Sequence, residues 1–166
     1  MLAPLRAFAL CTLVISYWSP ITQAAGGLAA QNLAGEPVAL GDYFPAGKWT
    51  LVMAWTTYCG VCRQQQPMIS AFHSAHKDKD AVVLGIALDG FGAGAKVANY
   101  EKSENLSYTT VISDPQSFGE VYRAFTDEGF KGTPTYLLFN PAGGLAGYQT
   151  GPLARDAIEK MIATSP

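Results

Sequence analysis

An apolar run, Trp49 to Ala54, gives way through Trp55-Thr56-Thr57-Tyr58 to Cys59-Gly60-Val61-Cys62-Arg63, and this junction constrains the fold more than any other stretch. The run has the length and composition of a buried strand, and the residues from about Cys59 to His76 read as a helix. The two sulfurs therefore fall where a strand hands over to a helix. At that point the first sulfur meets unpaired backbone N–H groups and the positive end of the helix dipole, which favour a thiolate. The second, one turn on, is close enough to displace whatever the first has attacked. The pattern suits dithiol–disulfide exchange, with Cys59 and Cys62 as the reacting pair.

The remaining cysteine sharpens this reading. Cys11 lies in an apolar stretch, Ala7 to Trp18, that follows Arg6 and is broken by Ser19-Pro20, with small residues at Thr22, Ala24 and Ala25. A basic start, a short apolar region and a small-x-small site form the pattern of a secretory signal peptide over residues 1–24, with residues 25–166 as the mature domain. Its dozen or so apolar residues fall short of the ~20 that span a bilayer, so an uncleaved anchor is the lesser alternative. The expected location is the periplasm or an equivalent oxidising space. A bridge across a loop as short as Cys59–Cys62 hardly constrains an unfolded chain, so the pair points to chemistry and not to a disulfide scaffold.

Composition narrows the class. The 166 residues are 49% hydrophobic with a formal net charge of -2, which fits one globular domain with a substantial core. Eleven basic against thirteen acidic residues, with no basic stripe, give no footprint for nucleic acid. Further strands are expected at 37–40, 81–88, 109–112 and 135–139, with 145–149 returning as a hairpin partner after Asn140-Pro141-Ala142-Gly143-Gly144. Helices are expected from the glycine-rich loop at 90–94 to about Glu104, from Asp114-Pro115 to about Phe125, and over 154–163. Strands alternate with helices and a hairpin comes late, which predicts an α/β sandwich with a central mixed sheet flanked by helices.

These landmarks resemble the thioredoxin superfamily, in particular its exported TlpA/ResA-like branch, across Asn32 to about Pro152. The resemblance rests on Gly47-Lys48-Trp49-Thr50-Leu51-Val52 leading into Trp55, the cysteine pair, Pro67, Asp114, Val121-Tyr122 and Gly132-Thr133-Pro134-Thr135 before Asn140-Pro141-Ala142-Gly143. It implies a thioredoxin-like fold, a kinked helix at Pro67, and a cis Thr133–Pro134 peptide that faces the cysteines and pairs with an extended partner segment. By the same likeness Trp55, Tyr58, Thr133 and Pro134 are substrate-binding candidates, although Trp55 fits equally as core beneath the motif. Two positions depart from the pattern. Met53 stands where thioredoxins proper bury an Asp, and Gln65 where this group often carries an acid. The Cys62 proton then needs another group or water. Asp89, at the end of the second buried strand, is the candidate, with a turn-starting role as its alternative.

The resemblance implies an exported thiol–disulfide oxidoreductase that keeps cysteines of apocytochrome c or other exported proteins reduced, fed by a membrane electron donor. The alternatives are the reverse direction, oxidising or isomerising thiol-bearing partners, and a protein-binding module of the same fold without turnover. No cofactor beyond the redox-active disulfide is expected. Zinc is disfavoured, because His73 is eleven helical residues, about 16 Å, from Cys62. Haem attachment would need His where Arg63 stands, a peroxidase of the peroxiredoxin type would need Pro where Val52 stands, and the loop 90–95 needs its glycines only for turning.

Overall fold

The computed structural model describes residues 27–164, so the expected leader over residues 1–24 lies outside the described residues. Among the described residues five strands form one sheet: β1 (Trp49–Trp55), β2 (Ala81–Ala87), β3 (Thr109–Ile112), β4 (Thr135–Phe139) and β5 (Leu145–Thr150). Four α-helices of the described residues flank it: α1 (Gly60–His76), α2 (Gly94–Glu104), α3 (Pro115–Thr126) and α4 (Arg155–Thr164). The strand order is β3-β2-β1-β4-β5, with β1 parallel to β2, β2 parallel to β3, and β4 antiparallel to both β1 and β5. This is the mixed sandwich the sequence predicts.

All seven residues of β1 are buried, because the strand is central and covered on both faces. Alternation along it feeds two cores. Leu51, Met53 and Trp55 join Cys62, Ile69 and Phe72 of α1, Tyr100 of α2 and Ile158 of α4. Val52 and Ala54 join Leu84, Ile86, Leu137, Phe139 and the α3 residues Phe118 and Tyr122. Burying side chains of this size contributes about 1.5–3 kcal/mol each before entropy is subtracted, so the register of β1 is strongly fixed.

The strand expected over residues 37–40 does not form. Pro37 makes only an isolated bridge to Gln31, and Leu40–Tyr43 is a 3-10 turn that delivers Leu40 to the core. A proline has no N–H to give to a ladder, which limits pairing there. Gln31 instead exchanges backbone hydrogen bonds with Ile112, at 2.9 and 2.7 Å, and so covers part of the edge strand β3.

Asp114 begins α3 in the manner its sequence context suggests. Its Oδ1 accepts from Gln116 N and Ser117 N, each at 2.9 Å, Oδ2 accepts from Ser117 Oγ at 2.7 Å, and Pro115 occupies the first helical turn. These donors, led by Ser117 N, hold the carboxyl below the usual carboxylate range. A depressed folded value means that the cap stabilises fully above the unfolded value, about 3.9, and loses its contribution as pH falls through the folded one. Asp114→Ala should therefore cost about 1 kcal/mol at neutral pH. Urea melts of the two proteins should converge once the pH drops below the folded value.

Candidate redox site

Because β1 is fixed on both faces, the loop that leaves it emerges at a defined edge of the sheet. Cys59, in extended backbone with φ -85° and ψ 104°, is the N-cap of α1. Its sulfur accepts a hydrogen bond from Cys62 N at 3.1 Å, and the two cysteines are joined in a disulfide with Cα atoms 5.2 Å apart. Cys59 is half-buried, whereas Cys62 is fully buried in the α1 face of the core. The arrangement can therefore present one sulfur to a partner and keep the other back. No acidic residue occupies the first turn of α1, so nothing there opposes a thiolate on Cys59.

Thr133 and Pro134 come to the same place at the start of β4, the antiparallel neighbour of β1. Thr133 O lies 3.5 Å from Cys59 Sγ, and the Thr133–Pro134 peptide is cis. Gly132 precedes them at φ 137°, a backbone angle that side chains rarely adopt, and Gly151 N donates to Pro134 O at 2.8 Å. Tyr58 is 75% exposed beside the disulfide, with Lys96 Nζ 5.4 Å from its ring centre. Val61, within the motif, and Phe91 are also exposed apolar residues. Phe91 was not singled out in the sequence, although a large apolar residue inside a glycine loop is a readable signal.

Two sequence candidates occupy other roles. Trp55 is not at the rim: it is wholly buried, packed against Tyr100 with ring centres 5.1 Å apart, because it continues the inward alternation of β1. Asp89 has a buried carboxylate that accepts from Thr57 N at 3.0 Å, from the Thr57 hydroxyl and from Lys96 Nζ at 2.8 Å. None of these hydrogen bonds involves Cys62, so Asp89 pins the loop that carries Cys59. Gln65, where the family resemblance leads one to expect an acid, uses Oε1 to accept from Leu153 N at 2.7 Å and from the Tyr136 hydroxyl at 3.4 Å. His73 Nδ1 accepts from Val83 N at 3.0 Å, while His76 stacks on Phe72 and lies 2.7 Å from Asp80, so each histidine has its own partners in the fold. Among the described residues no cluster of three or more His, Cys, Asp and Glu could hold a metal ion.

The chain matches the AhpC/TSA family over residues 21–147. Sporulation thiol-disulfide oxidoreductase A of Bacillus subtilis is 20% identical over 131 residues, covering 78% of this chain and 74% of that protein. Thiol-disulfide oxidoreductase ResA of Halalkalibacterium halodurans is 23% identical over 132 residues, covering 80% and 69% respectively. Among solved structures, a thioredoxin-family thiol:disulfide interchange protein from Chlorobium tepidum superposes with a TM-score of 0.66 at 20% identity, over 82% of this chain and 93% of that one. A secreted Mycobacterium tuberculosis disulfide oxidoreductase gives 0.62 at 18% identity, over 84% and 96%.

Hydrogen bonds to a charged group contribute about 1.5–3 kcal/mol each, so a buried carboxylate with three donors matters to the fold. Asp89→Ala should lower the unfolding free energy by at least ~2 kcal/mol in urea. Unchanged stability with a collapse of the Cys62-dependent step would instead identify Asp89 as a proton carrier.

Proposed function

The chain belongs to the AhpC/TSA family and is a thiol–disulfide oxidoreductase of ResA type; on that premise we propose that it works in the periplasm as a reductant of exported proteins. The observation that carries the reading is the asymmetry of the pair: Cys59 half-exposed on the helix N-terminus, Cys62 buried behind it. In the reduced protein the Cys59 thiolate attacks one sulfur of a partner disulfide. A Cys59–partner S–S bond forms, and the first partner sulfur leaves as a thiolate that takes a proton from solvent. Cys62 then gives up its proton and attacks Cys59 Sγ, which closes the Cys59–Cys62 bond and expels the second partner thiolate. Two electrons have passed to the partner, the Cys62 proton has gone to water or to an acceptor beside the pair, and the expelled thiolate takes a proton from solvent.

The charges around the motif support the reducing direction. A dithiol becomes a strong oxidant when its reduced form is over-stabilised. Here Arg63 is paired with Glu104 at 3.2 Å and Lys96 with Asp89 at 2.8 Å, so both flanking cations are spent on carboxylates. The helix N-terminus is left as the main support of the thiolate. Partners fitting this reading are disulfide-bearing exported proteins, including apocytochrome c, whose extended segment lies against Thr133 and Pro134 beneath the Tyr58 rim. A membrane donor of two electrons and two protons would restore the dithiol. The Arg6 and Ala7 to Trp18 pattern supports export.

Cys62→Ser should accumulate mixed disulfides through Cys59, because the resolving thiol is gone, whereas Cys59→Ser should capture few partners. Non-reducing gels of affinity-purified periplasmic material check this. Equal capture by both variants would remove the assigned roles.

A further inference from the structure

Beneath Cys62 the α1 side of the core contains a seam of polar groups that the exchange described above does not use. Gln66, one helical turn after Cys62 on the same buried face, accepts from the Tyr100 hydroxyl at 2.8 Å, yet its Nε2 makes no hydrogen bond. Trp55 Nε1, Thr110 Oγ1 and Glu101 Oε1 are likewise buried and unpartnered. Native interiors rarely leave such groups unpaired, and four together call for a common explanation. Gly85 makes room for two of them. A Cβ on Gly85 would stand 2.7 Å from Thr110 Oγ1, 2.9 Å from Trp55 Nε1 and 2.9 Å from the Tyr108 ring. Gly85 pairs with Met53 on one side and Thr110 on the other, so the seam crosses the sheet at the level of Met53, whose Sδ receives the Tyr108 hydroxyl at 3.9 Å.

We propose that this seam is a proton route and that Glu101, on α2, receives the Cys62 proton during resolution, through Gln66, Thr110 and water held among the unpartnered groups. The inference rests on the exchange reading above and names the residue that its second step needs. The step balances: the Cys62 S–H bond breaks, its proton reaches the Glu101 carboxylate, and the freed thiolate closes the bond to Cys59. When the disulfide is reduced again, the proton returns along the same seam. The other groups facing the seam are poor acceptors. Burial pushes the Tyr108 and Tyr136 hydroxyls well above their ordinary values, so they stay protonated. Burial also raises the Glu101 carboxyl above its ordinary value, while the nearby Thr110 hydroxyl, outside hydrogen-bond geometry, acts in the opposite sense. Around the seam, Arg63 lies 5.4 Å from the Tyr100 ring centre and is paired with Glu104 at 3.2 Å, and the His73 ring, which accepts from Val83 N, stands 6.4 Å from the Tyr108 ring.

The test separates the two sulfurs. Reduced protein mixed with excess 5,5′-dithiobis(2-nitrobenzoate) should release coloured thiolate in two phases, the first from attack by Cys59 and the second from displacement by Cys62. Glu101→Gln keeps the shape and should slow the second phase at least about tenfold near neutral pH, with the deficit shrinking as pH rises. The first phase and the melting temperature should be unchanged, and Glu101→Asp should recover part of the second phase. Thr110→Val should slow the second phase several-fold in the same direction. A second phase in Glu101→Gln with wild-type rate and pH profile would overturn the proton route while leaving the exchange reading intact. Absence of a second phase in the wild-type protein would overturn both.

Discussion

The whole arrangement depends on the burial of β1. A strand covered on both faces cannot slip by one residue without turning Leu51, Met53 and Trp55 out of one core and Val52 and Ala54 out of the other. Its end is therefore fixed, and with it the loop Thr56-Thr57-Tyr58 that Asp89 holds by a backbone and a hydroxyl hydrogen bond. Cys59 becomes the N-cap of α1 as a consequence. The antiparallel pairing of β1 with β4 then carries Thr133 to within 3.5 Å of the Cys59 sulfur, although 74 residues separate them in sequence.

Where the pattern is periodic, the chain announces its own structure. The apolar runs at 49–54, 109–112 and 135–139 become β1, β3 and β4, and Asp114-Pro115 starts α3. The helix persists through Pro67, as the family resemblance implied. The segment at 37–40 misled because short apolar stretches have no period long enough to separate a strand from a turn that sends one side chain inward. Its bridge to Gln31, and the pairing of Gln31 with Ile112, depend on contacts far apart in sequence.

The site shows the same division. Cys59 and Cys62 were legible because chemistry and spacing mark them, and Pro134 because of the family resemblance. Trp55 was ambiguous because an aromatic residue beside a motif serves a rim or a core equally well, and only the register of β1 decides. The sequence offered Asp89 as a proton carrier or a turn residue, and its hydrogen bonds to Thr57 and Lys96, which arrive from other elements, could not be read from it. The seam of Gln66, Tyr100, Glu101 and Thr110 was not anticipated. It is assembled from α1, α2 and β3, and its one local signal was a glutamine on the buried face of α1, four residues after Cys62.

Met53 and Gln65 stand where the family resemblance leads one to expect acids, so on the proposed reading the balance of the pair rests on a helix N-terminus, two cations paired with carboxylates and, if the seam carries protons, Glu101. Each of these affects how far the reduced form is favoured, and the sum is the reduction potential. Equilibrating the Cys59–Cys62 pair against a graded dithiothreitol or glutathione series measures it directly. A value near that of thioredoxin, about -270 mV, is the result expected of a reductant, and one near -120 mV would contradict the account by making the protein an oxidant.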